Sequence, residues 1–139
     1  MVCAGGQGEY QAGVGFQFCC VEIFPFIAAV IIWGNSMQYG IFDHLDLGDT
    51  SVSTHYRNRL DFIEACEQAG IASYHIAEHH LTTLGMAPSP NLFLSAVAQR
   101  TRRLRFGPMI FAAPLYHPLR LLEEVAMLDQ MSEGRLEMG

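Results

Sequence analysis

The chain contains no lysine. Its eight basic residues are all arginine and face 14 acidic ones, for a net charge of −6 over 139 residues. Nucleic-acid binding usually leaves a basic patch, and this balance supplies none, so nucleic acid is not an expected partner. Four of the arginines (Arg100, Arg102, Arg103 and Arg105) form one run, which reads as the solvated polar end of a helix and its turn. Charge of either sign is nearly missing from the first 36 residues, which hold only Glu9 and Glu22. No Lys or Arg precedes the apolar stretch "FQFCCVEIFPFIAAVIIW" as an export signal would require, and Glu22 and Pro25 interrupt it as a bilayer span, so a membrane partner is not expected. Cysteines are few and badly placed for a disulfide framework. Cys3, Cys19 and Cys20 share this segment while Cys66 lies alone, which points to a reducing, cytoplasmic compartment. Residues 1–36 therefore read as an extension outside the fold, and the folded domain as residues 37–139.

From Met37 the pattern is regular. A strand over about Tyr39–Asp43 leads through the polar loop "HLDLGDTSVS" to a helix capped by Ser53 or Thr54 and running to Gln68. That helix carries Leu60, Ile63, Ala65 and Cys66 at helical spacing, and Gly70 stops it. A strand over Ile71–Ala77 follows, then a helix with Ser89 as cap and Pro90 at the first position, where a missing N–H costs nothing. A third strand spans Leu104–Phe111. A third helix starts at Pro118, turns Leu119, Leu122, Val125, Ala126 and Leu128 to the core, and stops near Gly134. "RLEMG" reads as the first half of a fourth strand.

Strands and helices alternating with short returns imply an α/β fold with parallel strands and right-handed crossovers. An open doubly wound sheet and an eight-stranded barrel both fit, and both bind ligands at the carboxyl ends of the strands. Asp43 and His44 lie at one such end, the residues after Ile110 at another, and Glu78, His79 and His80 at a third.

The stretch "YHIAEHHLTT" also contains His75-Ile76-Ala77-Glu78-His79, the H-x-x-E-H order of one class of zinc peptidase. That chemistry needs a helix. On the strand expected here, residues 75 and 79 lie roughly 13 Å apart at about 3.3 Å per residue, too far to share one zinc. No metal is expected.

"AEHH", "APSPNLFLSAVAQRTRRLRFG" and "PLYHPLRLLEEVAMLDQMSEGRLEMG" together resemble the amino-terminal part of the bacterial luciferase-like flavin monooxygenases, over essentially all of residues 37–139. The resemblance implies the (β/α)₈ TIM barrel, of which the chain would supply about three and a half strand-helix units. It implies reduced FMN, or the deazaflavin F420, as cofactor, and a small organic substrate into which one atom of O₂ is inserted.

By the same resemblance His79, the first histidine of EHH, lies beside the flavin and does acid/base work. An imidazole with an ordinary pKa near 6.5 suits that role. His80 and Glu78 would orient it or shape the flavin pocket, Met109 and Ile110 would pass the ring, and Glu123 matches a family glutamate near the site. A non-catalytic flavin-binding or dimerisation partner shares the fold and is the alternative.

A barrel of this kind takes about 250 residues, so the sequence reads as a truncated chain. Its first and last strands would have open edges, which favours a homo- or hetero-dimer. Such a chain is expected to bind flavin weakly.

Overall fold

A computed structural model of the chain describes residues 29–33 and 36–139. Four strands form one sheet in the order β1 (Ala29–Trp33), β2 (Ser36–Asp43), β3 (Ser73–Ile76) and β4 (Arg105–Pro108). Helix α1 (Val52–Gln68) links β2 to β3, α2 (Pro90–Arg100) links β3 to β4, and α3 (Pro118–Met131) follows a 3-10 turn at Ala113–Leu115. The pairs β2–β3 and β3–β4 are parallel, with Phe42 opposite His75 and His75 opposite Gly107. Beyond β4 the chain returns to the sheet. Phe106 bridges Leu136 in parallel, and Glu137 N–H donates to Phe106 O at 2.8 Å, so "RLEMG" forms an isolated bridge to β4 and not the strand expected there.

The strand β1 lies upstream of the boundary expected at Met37 and pairs antiparallel with β2, Ala29 opposite Gly40 and Trp33 opposite Ser36. The rest of the extension, residues 1–28 and 34–35, lies outside the described residues. Among the described residues, no helix is long and apolar enough to cross a membrane.

Residues alternate between the two faces of each strand. Ile41, Tyr74, Ile76 and Phe106 face the helices and pack with Ile63, Phe93, Leu94 and Val97 into one buried core. Phe42, His75 and Gly107 occupy the other face. A Cβ on Gly107 would lie 1.8 Å from the Glu137 carbonyl oxygen, so only glycine lets the returning segment cross there.

Several local expectations are corrected. Helix α1 is capped by Ser51, whose Oγ accepts from Thr54 N–H at 3.3 Å, rather than by Ser53 or Thr54. Ser89 precedes Pro90 as expected but makes no side-chain cap. The strands expected over Ile71–Ala77 and Leu104–Phe111 are shorter, because their flanks keep single hydrogen bonds without a continuous ladder, such as Ala77 N–H to Asp43 O at 2.9 Å. Of the α3 residues expected in the core, Leu128 is buried, but Leu119 and Leu122 are 56% and 67% exposed and Ala126 is also exposed. The helix meets α2 along another face, where Glu124 accepts from Asn91 Nδ2 at 3.3 Å.

Two polar groups fix how the helices meet the sheet. Glu67, at the end of α1, accepts from the backbone N–H groups of Arg102, Arg103 and Leu104 at 2.9, 2.6 and 2.8 Å. Burial alone would raise its carboxyl pKa, but those three donors outweigh burial and lower it. Arg135 follows Glu133 and Gly134, whose φ values of +57° and +79° turn the chain left-handed off α3. Its guanidinium donates to Ala98 O, Thr101 Oγ1, Leu104 O and Ser132 O at 2.8 to 3.0 Å and covers the Phe106 ring. The "GR" of "MSEGR" is thus a clamp on the end of α2 and the start of β4. Burial pushes the free Cys66 thiol up to about 11, so it stays protonated and unreactive at neutral pH.

Candidate functional site

The carboxyl ends of β2, β3 and β4 form one rim, and alternation decides which side chains reach it. Asp43 does not. It is buried on the helix side, where Oδ2 accepts from Tyr74 OH at 2.6 Å and pairs with Arg59 Nε at 3.2 Å, while Oδ1 accepts from Leu45 N–H at 2.9 Å. Burial first, and the Asp43 charge second, raise the Tyr74 hydroxyl far above its ordinary range. The next residue turns the other way. His44 Nδ1 lies 3.3 Å from His79 Nε2, with ring centroids 5.4 Å apart, and the Phe42 ring stands edge-on to His44 at 4.9 Å.

Gly85 makes room for that pair. Its φ is +148°, and a Cβ there would lie 2.9 Å from both His44 O and His79 Cβ. Leu45 O accepts from Met86 N–H at 3.0 Å, which ties the β3–α2 loop against the end of β2.

Glu78 ties the other side of the rim. Its side chain is 1% exposed, and Oε1 lies 2.7 Å from His80 Nε2 while Oε2 accepts from Ala112 N–H at 2.8 Å. Tyr116 joins the same carboxylate. Burial, then the neighbouring Glu78 carboxylate, raise the Tyr116 phenol well above the ordinary range. Glu78 thus joins the loop after β3 to the loop after β4, which brings His79 and His80 to the same rim as Met109 and Ile110. These two are 43% and 63% exposed, and their shared peptide bond is cis.

The remaining candidates lie elsewhere. Glu123 is exposed on α3, 3.9 Å from Arg120 Nη1. Its neighbour Glu124 is the one that reaches inward, to Asn91. His75 is on strand β3, as the argument against a zinc helix required, and faces Glu137 at 3.0 Å rather than His79. Burial lowers the His75 pKa more than Glu137 raises it, so the buried ring favours its neutral form. Among the described residues, no three His, Cys, Asp or Glu side chains gather as a metal site.

Reading the sequence missed Tyr116 and Gly85. A tyrosine 38 residues from its carboxylate gives no local signal, and the close approach at Gly85 exists only once two loops have met.

Residues 37–139 match the luciferase-like monooxygenase family. An uncharacterized protein of Sinorhizobium fredii is 51% identical over 105 residues, covering 76% of this chain and 31% of that protein. The oxygenase component of the flavin-dependent trigonelline monooxygenase of Acinetobacter baylyi is 30% identical, covering 74% of this chain and 29% of its own length. The oxygenating constituent of 3,6-diketocamphane monooxygenase of Pseudomonas putida, solved in complex with FMN, superposes with a TM-score of 0.69 at 28% identity, over 74% of this chain and 29% of the other. The chain belongs to the luciferase-like monooxygenase family. It spans less than a third of the length of these relatives.

Proposed function

We propose that residues 37–139 are the amino-terminal arc of a (β/α)₈ barrel whose rim holds a flavin, and that the protein is a flavin-dependent monooxygenase acting on a small organic substrate. The observation that carries this reading is the rim itself. Glu78 brings an imidazole pair and the exposed apolar Met109 and Ile110 to one edge of a parallel sheet. That set fits the group. A flavin ring presents a broad apolar face and a polar edge, and the rim offers apolar side chains beside ring nitrogens. When bound, reduced FMN would supply the electrons that let O₂ deliver one oxygen atom to the substrate while the other leaves as water, whereas F420 in its place would supply a hydride to the substrate.

His79 takes and returns the proton that this exchange requires. Glu78 holds the two loops together and orients His80, while the exposed Met109 and Ile110 would supply apolar contact to the bound ring and help exclude water. Glu123 would join the site from α3 only by turning away from Arg120. The family match begins at Met37, which supports a domain of residues 37–139 with β1 as a strand added to its edge. Pairing with a second chain, alike or unlike, would cover the remaining edge.

The test is oxygenase turnover with reduced FMN, and substrate reduction with reduced F420, in the protein and in its His79→Ala variant. Turnover falling by roughly 100-fold or more in the variant supports the reading. Flavin binding without turnover in either form would instead make the chain a non-catalytic flavin-binding or dimerisation partner.

A further inference from the structure

Among the described residues, His44 is the one rim residue whose side-chain nitrogen contacts the His79 ring, and it follows β2 while His79 follows β3. The contact is specific to one atom of each ring. Nδ1 of His44 meets Nε2 of His79 at 3.3 Å. Among the described residues, His79 Nδ1 has no hydrogen-bond partner, and it is not one of the buried unpaired polar atoms, which are Asp46 Oδ1 and Asn91 Oδ1. Packing fixes both rings. Phe42 stands edge-on to His44 at 4.9 Å, and the backbone at Gly85 closes over His79 with no space for a Cβ.

We propose that His44 is a positioning residue for His79, holding it through Nε2 so that Nδ1 is the nitrogen that exchanges protons with the bound ligand. This rests on the proton role proposed for His79.

Two neutral imidazoles in contact share one hydrogen between these atoms. With that hydrogen on His79 Nε2, His79 Nδ1 carries a lone pair and acts as a base. With it on His44 Nδ1, His79 Nδ1 carries a hydrogen and acts as an acid. When His79 Nδ1 takes a proton, the Nε2 hydrogen passes to His44 Nδ1 and His44 releases one from its own Nε2 to solvent. One proton enters and one leaves, and each ring ends neutral. An ion pair with a carboxylate would hold His79 in one state; an imidazole partner, which can either donate or accept at the same nitrogen, lets the hydrogen stand on either side.

The experiment is nitrogen-15 NMR of the imidazoles in the full chain, unliganded, together with His44→Asn and His44→Phe. In the unchanged protein we expect a scalar coupling between His44 Nδ1 and His79 Nε2 across the shared hydrogen. We also expect His79 Nδ1 and Nε2 shifts displaced from those of free neutral imidazole. Asparagine places an amide atom near the position of Nδ1 and should keep His79 near its native shifts. Phenylalanine keeps the ring and its contact with Phe42 but offers no partner, and should return the His79 shifts to those of the free tautomer mixture. The amide signal of Ala112, held by Glu78, reports that each variant is folded.

Absence of the coupling, together with unchanged His79 nitrogens in His44→Phe, would overturn the proposal. If His44→Phe does not fold, the coupling in the unchanged protein and the shifts in His44→Asn decide it. The flavin turnover assay fails independently of these signals, so loss of the proposed activity and loss of the pairing are told apart.

Discussion

The Glu78 carboxylate accepts from the backbone N–H of Ala112 at 2.8 Å, joining the ends of two parallel strands through one buried side chain 34 residues away. Its other oxygen meets His80 Nε2 at 2.7 Å. A donor left without its acceptor in a buried place costs about 1 to 3 kcal/mol. Glu78→Ala should lose an amount in that range in urea unfolding and free the loop after β4. Glu78→Gln, which keeps an acceptor oxygen, should lose roughly half as much. Equal losses in the two variants would show that the single acceptor oxygen kept by glutamine contributes nothing and that the contact needs the whole carboxylate.

Gly85 is the residue on which the seat of His79 depends. Its φ of +148° is one that a side chain rarely adopts, and a Cβ would meet His44 O and His79 Cβ at 2.9 Å. Gly85→Ala should cost about 1 to 3 kcal/mol of stability and shift the His79 ring signals. Gly48→Ala, where nothing lies within 4 Å, serves as the control and should stay within about 0.5 kcal/mol.

His75 makes stability depend on pH. Burial lowers its pKa below the ordinary 6.5 in the folded chain, so the unfolded chain binds more protons in the interval between the two values. The contribution is therefore complete above about pH 6.5 and is lost as pH falls through 6.5 toward the folded value. The melting temperature should drop between pH 7.5 and 5.5, and the drop should be smaller in His75→Gln. A steeper drop in the variant would mean that the Glu137 contact governs the ring and burial does not.

Arg135 holds the carbonyls of Ala98, Leu104 and Ser132 and the Thr101 hydroxyl at once. Lysine keeps the charge but cannot present the planar fork. Arg135→Lys should lose roughly 1 to 3 kcal/mol in denaturant unfolding. Arg120→Ala on the exposed side of α3 should change stability by less than about 0.5 kcal/mol. If the two substitutions cost the same, the clamp at the end of α2 contributes nothing.

Much of the architecture was legible because it is written locally. Pro90 starts α2, Glu133 and Gly134 turn left-handed off α3, and the short stretches between helices make the parallel strands. The H-x-x-E-H order falls on the strand expected over Ile71–Ala77, seen as Ser73–Ile76, and the structure keeps His75 with Glu137. Helix α3 departs from its expected face for a related reason. Apolar spacing marks which residues share a face, but the neighbouring helix decides which face is covered, and α2 covers the one with Leu128 and Glu124.

The sequence by itself determined the order of the elements, their parallel direction and the placing of EHH at a strand end, since hydrophobic period, caps and breakers act over a few residues. The tertiary structure alone decided which neighbours at that end touch. Asp43 and His44 are adjacent in the chain, yet strand alternation sends one to Tyr74 and Arg59 beneath the helices and the other to His79 on the rim. Partners 31 to 35 residues apart meet only when strand register and loop closure bring them within hydrogen-bond reach.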